Sequence, residues 1–499
     1  MGVPSSGLIL IPLTLGFFCF SSYIAEWAIF CSVLQGAALV NVGGGFVVGL
    51  SPYFFTTALI ALRILPRWIT GRCRFFVDEP AVAQVRMLLI FTIWCVFSAF
   101  ALPILFEGLA VDSARAGVDQ GYYVRSALHL SFSNVGQAGY MILDFVMVIC
   151  LLESAARPGR LDRLARAFSC SGALVAAVGT YQIICNHLGL PFPSWLFNSN
   201  EAWAQGSNQL IGPGFSRISA TFVEPSDAAG FLAVWSVFEL SLAISSGPRT
   251  GWHWLCATVG SLMLVETASS TGYITAGIMW LVMAYDCGGT ILRQGWIKVK
   301  PSLAVLGLAS AVLVSLTLVP TARPLLDAVL FSKGASESAI HRTSTLSRAV
   351  EVFEYSWGLG VGLGSNRAMS VFFYVLSNLG FPGMLLILFL LTQLLSQVRL
   401  RLCRPGVDSG TRRLLTALGG AFAADMLALL ASGAEITQPR LWILWGLLLA
   451  TIRHDWLAER QSLRGAVSAL LVRGRSSRRG DTLESSRGVV SRNSCAVLV

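Results

Sequence analysis

Long apolar runs without a single charged residue are the feature that most limits how this chain can fold. Three of them, residues 87–106, 301–319 and 371–391, are each about as long as the roughly 20 residues that a helix needs to cross a bilayer. A membrane barrel would instead show segments of about ten residues that alternate between apolar and polar side chains, and the sequence has no such pattern. The runs therefore predict an all-α, polytopic bundle of transmembrane helices.

The composition agrees with a membrane protein and excludes a soluble globular one. Of the 499 residues, 55% are hydrophobic and 12% are charged, whereas about 25% of the residues of a soluble domain are charged. The net charge of +10 would indicate a nucleic-acid partner in a soluble chain. Here the basic residues fall in short loops between the apolar runs and in the tail from Arg453, so we interpret them as topology signals and expect no nucleic-acid partner.

The apolar runs predict about 12–13 spans, of which one or two lie in the first 42 residues. The others lie near residues 45–64, 87–107, 132–152, 164–187, 226–246, 254–268, 272–286, 301–320, 369–396, 412–432 and 439–452. Every second connection is basic, which predicts that those connections and the C-terminus are cytoplasmic. The basic residues are Arg63, Arg67, Arg72, Arg74, Arg86, Arg157, Arg160, Arg163, Arg166, Arg249, Arg293, Lys298, Lys300, Arg399, Arg401, Arg404, Arg412 and Arg413. The orientation of the N-terminus stays open, because an even number of spans places it inside and an odd number outside.

Two connections on the external side are longer than a helical hairpin requires, at about residues 188–225 and 321–368. We therefore divide the chain into a transmembrane domain at residues 1–452, which carries both loops, and a basic tail at residues 453–499. The arginine- and serine-rich part of that tail predicts a disordered cytoplasmic segment.

The second external loop contains one amphipathic segment. Leu346, Ala349, Val350 and Phe353 follow the i, i+3, i+4, i+7 spacing of a helix with one apolar face. This spacing predicts a helix that lies on the membrane surface or on the bundle.

A glycine-rich block precedes the span that begins near residue 369. Glycine occupies every second position from Gly358 to Gly364, and Arg367 follows. The spacing does not match a dinucleotide-binding fingerprint, and the Gly-Lys-Ser/Thr of a phosphate-binding loop is missing. Two interpretations stay open. The glycines form a flexible approach to the helix, or the amides of Gly360, Gly362 and Gly364 form, with Arg367, a cradle for a phosphate or pyrophosphate.

Arginines in the external loops are informative because topology selection keeps positive charge out of short external segments. Guanidinium groups suit bidentate phosphate binding and stay charged. Four of these arginines are Arg217, Arg342, Arg348 and Arg367. Each is a candidate anion ligand, and the alternative is an ion pair with a carboxylate. The carboxylates considered are Glu201, Glu224, Glu351 and Glu354.

Glu224 and His341 are the candidate general bases of the external loops. Glu224 precedes Pro225 where the first loop meets a span, although a carboxylate at a helix N-terminus also serves simply as a partner of the helix dipole. His341, beside Arg342, is the weaker candidate. The sequence has no Asp-x-Asp motif and no paired histidines, so we expect neither a metal nor a cofactor.

Four of the carboxylates that fall within the predicted spans are candidates for an interior position, since a charge there costs about 2.5–3.5 kcal/mol even on lenient scales. They are Asp144, Glu239, Glu266 and Asp425. Each is expected to face the interior of the protein, and together they keep a transport function open as an alternative.

Three blocks together resemble the bacterial polysaccharide polymerase and O-antigen ligase superfamily, the Wzy-type integral membrane glycosyltransferases. They are residues 217–226 (RISATFVEPS), the glycine block at residues 358–367, and residues 376–383 (LSNLGFPG). The span count and the large penultimate external loop agree with this superfamily along most of the chain. Ligases of the superfamily often carry a His-Asn pair where this sequence has Met369-Ser370, so the resemblance favours a polymerase.

The resemblance implies a GT-C-like bundle and an inverting, metal-independent enzyme at the outer face of the bacterial inner membrane. Such an enzyme joins undecaprenyl-pyrophosphate-linked repeat units into an exopolysaccharide, capsule or O-antigen chain. Its implied partners are these lipid-linked glycans, membrane lipid, a chain-length-regulating co-polymerase and a flippase. In this hypothesis Arg217 and Arg367 bind the pyrophosphate, Arg342 and Arg348 assist, and Glu224 is the base. The alternatives are a ligase and, in a different class, a lipid-linked oligosaccharide transporter or flippase.

Overall fold

The computed structural model describes residues 2–42, 48–70, 79–113, 124–154, 157, 159–201, 217–245, 249–294, 337–432 and 435–480. This part of the chain is mostly helical. Its helices are α1 (Ser5–Phe20), α2 (Ile24–Cys31), α3 (Pro52–Ile69), α4 (Pro80–Leu105), α5 (Phe132–Ser154), α6 (Arg160–Leu188), α7 (Ser194–Phe197), α8 (Pro225–Ile244), α9 (Thr250–Glu266), α10 (Ser270–Gln294), α11 (Glu337–Tyr355), α12 (Val371–Cys403), α13 (Ser409–Ser432) and α14 (Pro439–Gly480).

Six of the described helices are long and apolar enough to cross a membrane: α4, α5, α6, α8, α12 and α13. Each coincides with a span expected from the sequence, which confirms the multi-pass, helical class of the protein. Helix α1 and the apolar parts of α3 and α10 are shorter. The span expected at residues 301–320 lies outside the described residues, so the total of about 12–13 spans stays a prediction.

Helix α8 is the most deeply buried of these spans and packs against α9, α10 and α13. A helix that is apolar on all sides belongs inside a bundle. Small residues allow neighbouring helices to approach closely. The indole of Trp235 in α8 occupies the space that a Cβ atom added at Gly172 in α6 or at Gly260 in α9 would need.

Helix α12 is broken inside the bundle. Gly380 has φ 64° and ψ −165°, which are not helical angles, and Pro382 follows. The glycine-rich block supplies the hydrogen bonds that the broken helix lacks. The amide of Val361 donates to the carbonyl oxygen of Ser377 (2.9 Å), and the amide of Phe381 donates to a carbonyl oxygen of the block (2.8 Å). Two of the sequence blocks that carry the family resemblance are therefore one interlocked structural unit.

Two short antiparallel hairpins add strands that the sequence analysis did not predict. Strands β1 (Val40–Val42) and β2 (Val48–Leu50) form one, and β3 (Ala110–Ser113) and β4 (Val124–Ala127) form the other. Helix α11 contacts β3.

The amphipathic helix expected in the second external loop is confirmed as α11, with a different buried face. Thr345, Ala349 and Val352 are buried, whereas Leu346 and Val350 are half-buried. The reason is the unpredicted β3–β4 hairpin, whose Val111 packs with Val352 and so turns that side of the helix inward.

The chain divides into two compact units, residues 1–453 and 454–499. The second unit begins within α14, which runs to Gly480, although the composition predicts disorder from residue 453. Residues 454–472 are rich in Leu and Ala, which have high helix propensity, and this accounts for the difference. Residues 481–499 lie outside the described part of the chain.

The break in α12 makes a specific prediction for Gly380→Ala. An added Cβ would lie 2.2 Å from the carbonyl carbon of Leu359, and the backbone angles belong to a region that glycine occupies almost alone. We expect a loss of at least about 1–3 kcal/mol of stability. Thermal unfolding of the purified protein in detergent measures it.

The control is Gly139→Ala in α5, where the described structure leaves open space around an added Cβ; this variant should be neutral or slightly stabilised. Equal unfolding temperatures for the two variants would contradict the role of Gly380.

Candidate functional site

A cavity of about 170 Å³ lies where the first turns of α3, α8 and α14 meet. Each of these helices begins with a proline, Pro52, Pro225 or Pro439. Proline suits the first helical position because its fixed φ is helical and the missing N–H has no partner there in any case. The N-terminal ends of three helices carry partial positive charge and favour an anion.

Most of the residues that line the cavity are polar or charged, and three are aromatic. The lining residues include Gln35, Ser51, Tyr53, Phe54, Tyr140, Asn200, Glu224, Asp227, Arg367, Met369, Glu435, Thr437 and Gln438. Pockets that enclose a whole small ligand usually measure about 300–1,000 Å³. This cavity is smaller, so it has room for the reacting part of a larger substrate.

The cavity brings together Arg367 and Glu224, two of the residues singled out from the sequence. Arg367 forms an ion pair with Glu435 (3.0 Å), and both side chains are 15% exposed. Glu435 also accepts a hydrogen bond from the side-chain amide of Gln137 in α5 (2.7 Å). The carboxylate partner of Arg367 thus comes from the segment before α14 and is none of the four considered from the sequence. The pairing holds the guanidinium in place at the cavity wall.

Asn378 of α12 fixes the backbone that leads to Arg367. Its side-chain oxygen accepts hydrogen bonds from the amides of Ser365 (3.0 Å) and Asn366 (2.9 Å). Its side-chain nitrogen donates to the carbonyl oxygens of Asn366 (2.7 Å) and Tyr374 (2.9 Å). Asn378 is fully buried, so this set of four bonds orders the segment immediately before Arg367.

The glycines of the block are closely packed against neighbouring helices. A Cβ on Gly360 would lie 2.6 Å from the carbonyl oxygen of Asn378, and one on Gly362 would lie 2.5 Å from that of Ser98. The amide of Gly360 donates to the Ser356 hydroxyl (3.0 Å), and that of Gly362 donates to the Asn378 carbonyl oxygen (2.8 Å). These amides already have acceptors within the protein. The block therefore differs from both sequence interpretations: it is neither a flexible approach nor an open amide cradle at these two glycines.

Gly364 meets another helix in the same way. A Cβ there would lie 2.9 Å from the carbonyl oxygen of Ser133 and 3.0 Å from the side chain of Gln137. Because Gln137 holds Glu435, close packing at Gly364 keeps α5 near the ion pair of Arg367.

Two carboxylates of α8 line the cavity. Glu224 immediately precedes the helix, and one of its carboxylate oxygens accepts a hydrogen bond from the Ser226 hydroxyl (2.8 Å). Asp227 lies in the first helical turn and was missed by the sequence analysis. Its spacing of three residues from Glu224 could have identified it, because residues i and i+3 lie on the same side of a helix.

A buried ion pair lies next to the cavity. Arg440 of α14 bonds through its Nε to a carboxylate oxygen of Asp425 in α13, and both side chains are buried. Two guanidinium nitrogens of Arg440 lie 3.5 Å from the position of a Cβ on Gly230, so this glycine leaves room for the arginine beside α8. The pair ties α8, α13 and α14 together beneath the lining residues.

Two of the proposed anion ligands lie elsewhere and do not line the cavity. The Nε of Arg217 donates to the carbonyl oxygen of Thr267 (3.0 Å), directly after the end of α9, where a cation also interacts favourably with the helix dipole. Arg348 of α11 pairs with both carboxylate oxygens of Asp112 in β3 (3.2 and 3.3 Å). The side chains of His341 and Arg342, in the first two turns of α11, lie outside the described part of the structure.

Three of the four carboxylates within the expected spans are fully buried and have partners. Asp425 pairs with Arg440, Glu239 with His253 (2.6 Å), and Asp144 accepts a hydrogen bond from the hydroxyl of Tyr53 (2.9 Å). Glu266 is half-buried. The expectation that these side chains face the interior of the protein is thus confirmed for Asp144, Glu239 and Asp425. Among the described residues, no cluster of three or more His, Cys, Asp and Glu is arranged to hold a metal ion.

No model of a known protein family and no curated protein matches this chain. The assignment of a function therefore rests on the residues and geometry of the chain itself.

The contacts of Arg348 predict a structural effect for Arg348→Ala. The substitution leaves the Asp112 carboxylate, which is 1% exposed, without this partner. The loss of a hydrogen bond to a buried polar group costs about 1–3 kcal/mol. We expect a lower unfolding temperature in detergent. Arg125→Ala is the matched control, since Arg125 pairs with Glu351 of the same helix in an exposed bridge (50% and 46% exposed) that contributes little. An unfolding temperature of Arg348→Ala equal to that of Arg125→Ala would contradict this structural role.

Proposed function

We propose that this protein is a membrane glycosyltransferase that polymerises lipid-pyrophosphate-linked glycan repeat units. The observation that carries the proposal is the cavity that joins Glu224 and Arg367, which are far apart in the sequence and belong to two of the blocks that resemble Wzy-type enzymes. A carboxylate and a fixed guanidinium in one small cavity suit the two charge changes of glycosyl transfer, namely loss of a proton by the acceptor and gain of negative charge by the leaving group.

The proposed reaction is a single displacement. A hydroxyl of the acceptor sugar attacks the anomeric carbon of the lipid-linked glycan, and a carboxylate of the first turn of α8 takes the proton. The bond between the anomeric carbon and the pyrophosphate oxygen breaks, and the leaving pyrophosphate keeps the electron pair. Arg367 stabilises the new charge, helped by the N-terminal ends of α3, α8 and α14. Neither a metal nor a cofactor is required, and the lipid chain lies between helices outside the cavity.

The walls of the cavity favour a polymerase over the ligase alternative. Met369 lines the cavity at the place where ligases of the superfamily often carry the histidine of a His-Asn pair. A thioether cannot accept a proton as an imidazole does. A transporter is less well supported, because Asp144, Glu239 and Asp425 are already bonded to partners within the bundle.

The charge distribution supports a site on the outer face of the bacterial inner membrane. Helices α3, α8 and α14 start at the cavity. Basic residues lie towards the other ends of these helices: Arg63 within α3, Arg249 after α8 and Arg453 within α14. Positively charged segments favour the cytoplasm. The cavity would then receive repeat units delivered by a flippase, and a co-polymerase would regulate chain length.

The reaction predicts a clear effect of Arg367→Ala. Membranes that contain the wild-type protein should convert lipid-linked repeat units, extracted from a strain lacking the protein, into longer glycans in the presence of EDTA. Removing one preorganised donor that stabilises a developing negative charge typically costs about 100- to 1,000-fold in kcat, so Arg367→Ala should be slower by that factor. Arg367→Lys should recover little, since lysine lacks the bidentate geometry.

The control for this assay is Arg125→Ala, whose exposed ion pair lies outside the cavity. It should polymerise at the wild-type rate. Wild-type polymer output from a normally expressed Arg367→Ala protein would refute the role of Arg367. Accumulation of full-length lipid-linked polymer in the deletion strain would instead indicate a ligase, and repeat units confined to the cytoplasmic leaflet would indicate a flippase.

The proposed orientation predicts which exposed positions a membrane-impermeant thiol reagent can reach. Ser347 of α11 and Cys403 at the end of α12 are both exposed. In a background without other cysteines, Ser347→Cys should be labelled in cells whose outer membrane alone is permeable. A protein that retains only Cys403 should be labelled only after the inner membrane is opened. The reverse pattern would place the cavity on the cytoplasmic side.

A further inference from the structure

We propose that Asp227, rather than Glu224, is the general base of the reaction. This inference rests on the proposed function and concerns which of two neighbouring carboxylates accepts the proton. Both line the same cavity, and both belong to the start of α8. Their hydrogen bonds differ, and that difference carries the assignment.

Glu224 already accepts hydrogen bonds from residues at the start of its own helix. One of its carboxylate oxygens accepts a hydrogen bond from the hydroxyl of Ser226 (2.8 Å). Its backbone carbonyl oxygen accepts bonds from the amides of Asp227 (3.2 Å) and Ala228 (3.1 Å), which begin the helix. A hydrogen bond donated to a carboxylate oxygen stabilises the charged form, which favours a carboxylate without such a bond as the group that takes the proton.

Glu435, the third carboxylate of the cavity, is also committed. It pairs with Arg367 (3.0 Å) and accepts a bond from Gln137 (2.7 Å). Protonating Glu435 would weaken its hold on the cation that the leaving group needs. Its structural position therefore makes it a positioning residue for Arg367.

Asp227 is the carboxylate that remains available. Within the described residues its side chain has no hydrogen bond and no ion pair. It is half-buried and borders the cavity, so the cavity is the place from which a hydroxyl can reach it. Fixed on the first turn of α8 next to the rigid Pro225, it needs little reorganisation to accept a proton.

Three charged groups act on Asp227. They are Glu224 on its own helix, Glu435 in the segment before α14, and Arg440 in α14. Arg440 is bonded to Asp425, so its attraction for Asp227 is shared with a second carboxylate. Two carboxylates therefore repel the charge of Asp227, and one arginine, which is also bonded to Asp425, attracts it. Asp227 has no direct ion pair that would occupy its carboxylate oxygens.

In the resulting step an oxygen lone pair of Asp227 takes the proton of the acceptor hydroxyl as the new bond from that oxygen to the anomeric carbon forms. The old bond to the pyrophosphate oxygen breaks, and its electron pair leaves with the lipid pyrophosphate. The carboxylic acid of Asp227 then releases its proton to water, which restores the carboxylate for the next cycle.

The test compares Asp227→Asn with the matched isosteric variant Glu224→Gln. Both proteins are purified, placed in proteoliposomes, and assayed with lipid-linked repeat units from a strain lacking the protein. General-base catalysis contributes about 100- to 10,000-fold, so Asp227→Asn should lose at least about 100-fold in kcat with little change in KM. Glu224→Gln removes a charge from the same cavity wall and should also lose activity, but at least about tenfold less than Asp227→Asn. The fall in wild-type kcat at low pH should persist in Glu224→Gln and disappear from the residual activity of Asp227→Asn.

Asp227→Cys keeps the inference testable if Asp227→Asn does not fold. A thiol has an ordinary pKa of about 8.5, so a base at position 227 would move the acidic limb of the kcat profile to higher pH in the cysteine variant. Transfer within tenfold of the wild type in Asp227→Asn, or an unchanged acidic limb in Asp227→Cys, would overturn the inference while leaving the proposed function intact. Complete absence of transfer by the wild-type protein would overturn the proposed function itself, and this inference with it.

Discussion

The contact between the glycine block and the break in α12 is the interaction on which the site depends. Gly380 cannot be helical here, and the carbonyl oxygens that its break frees receive amides from the block. Unsatisfied backbone groups are costly inside a membrane protein, so a broken helix persists only where another segment bonds to it. Asn378 adds four side-chain bonds at the same place. Arg367 follows directly, and its position is thus a consequence of how the break is satisfied.

Buried charged side chains that pair with each other stabilise the bundle. The pairs therefore determine which charged groups remain available for chemistry. A charge inside an apolar bundle is tolerated when it has a partner. Arg440 with Asp425, next to the cavity, and Glu239 with His253, elsewhere in the bundle, meet that condition. At the cavity, Arg367 is held by Glu435 on one side and is still 15% exposed. Among the described carboxylates that line the cavity, Asp227 in the first turn of α8 is the one with neither a hydrogen bond nor an ion pair from its side chain.

Sequence reasoning predicted the features that depend on local pattern and missed those that depend on contact between distant segments. The six long spans follow from runs of apolar residues, and Glu224 and Arg367 follow from their positions beside spans. The partners of the arginines could not be predicted, because Glu435, in the segment before α14, and Asp112, in β3, approach them only in the folded bundle. The tight packing of the glycines also depends on neighbouring helices, and the spacing of glycines alone is equally compatible with a flexible segment.

The charges at the cavity are balanced in a way that suits the proposed chemistry. Glu224, Asp227 and Glu435 contribute three negative charges, and Arg367 contributes one positive charge. The N-terminal ends of three helices add about half a positive charge each, so the site is close to neutral with a small negative excess. In the proposed reaction Asp227 takes up a proton while the leaving pyrophosphate gains negative charge. The cavity becomes slightly positive at the moment when it faces that new charge, so acceptance of the proton and stabilisation of the leaving group reinforce each other.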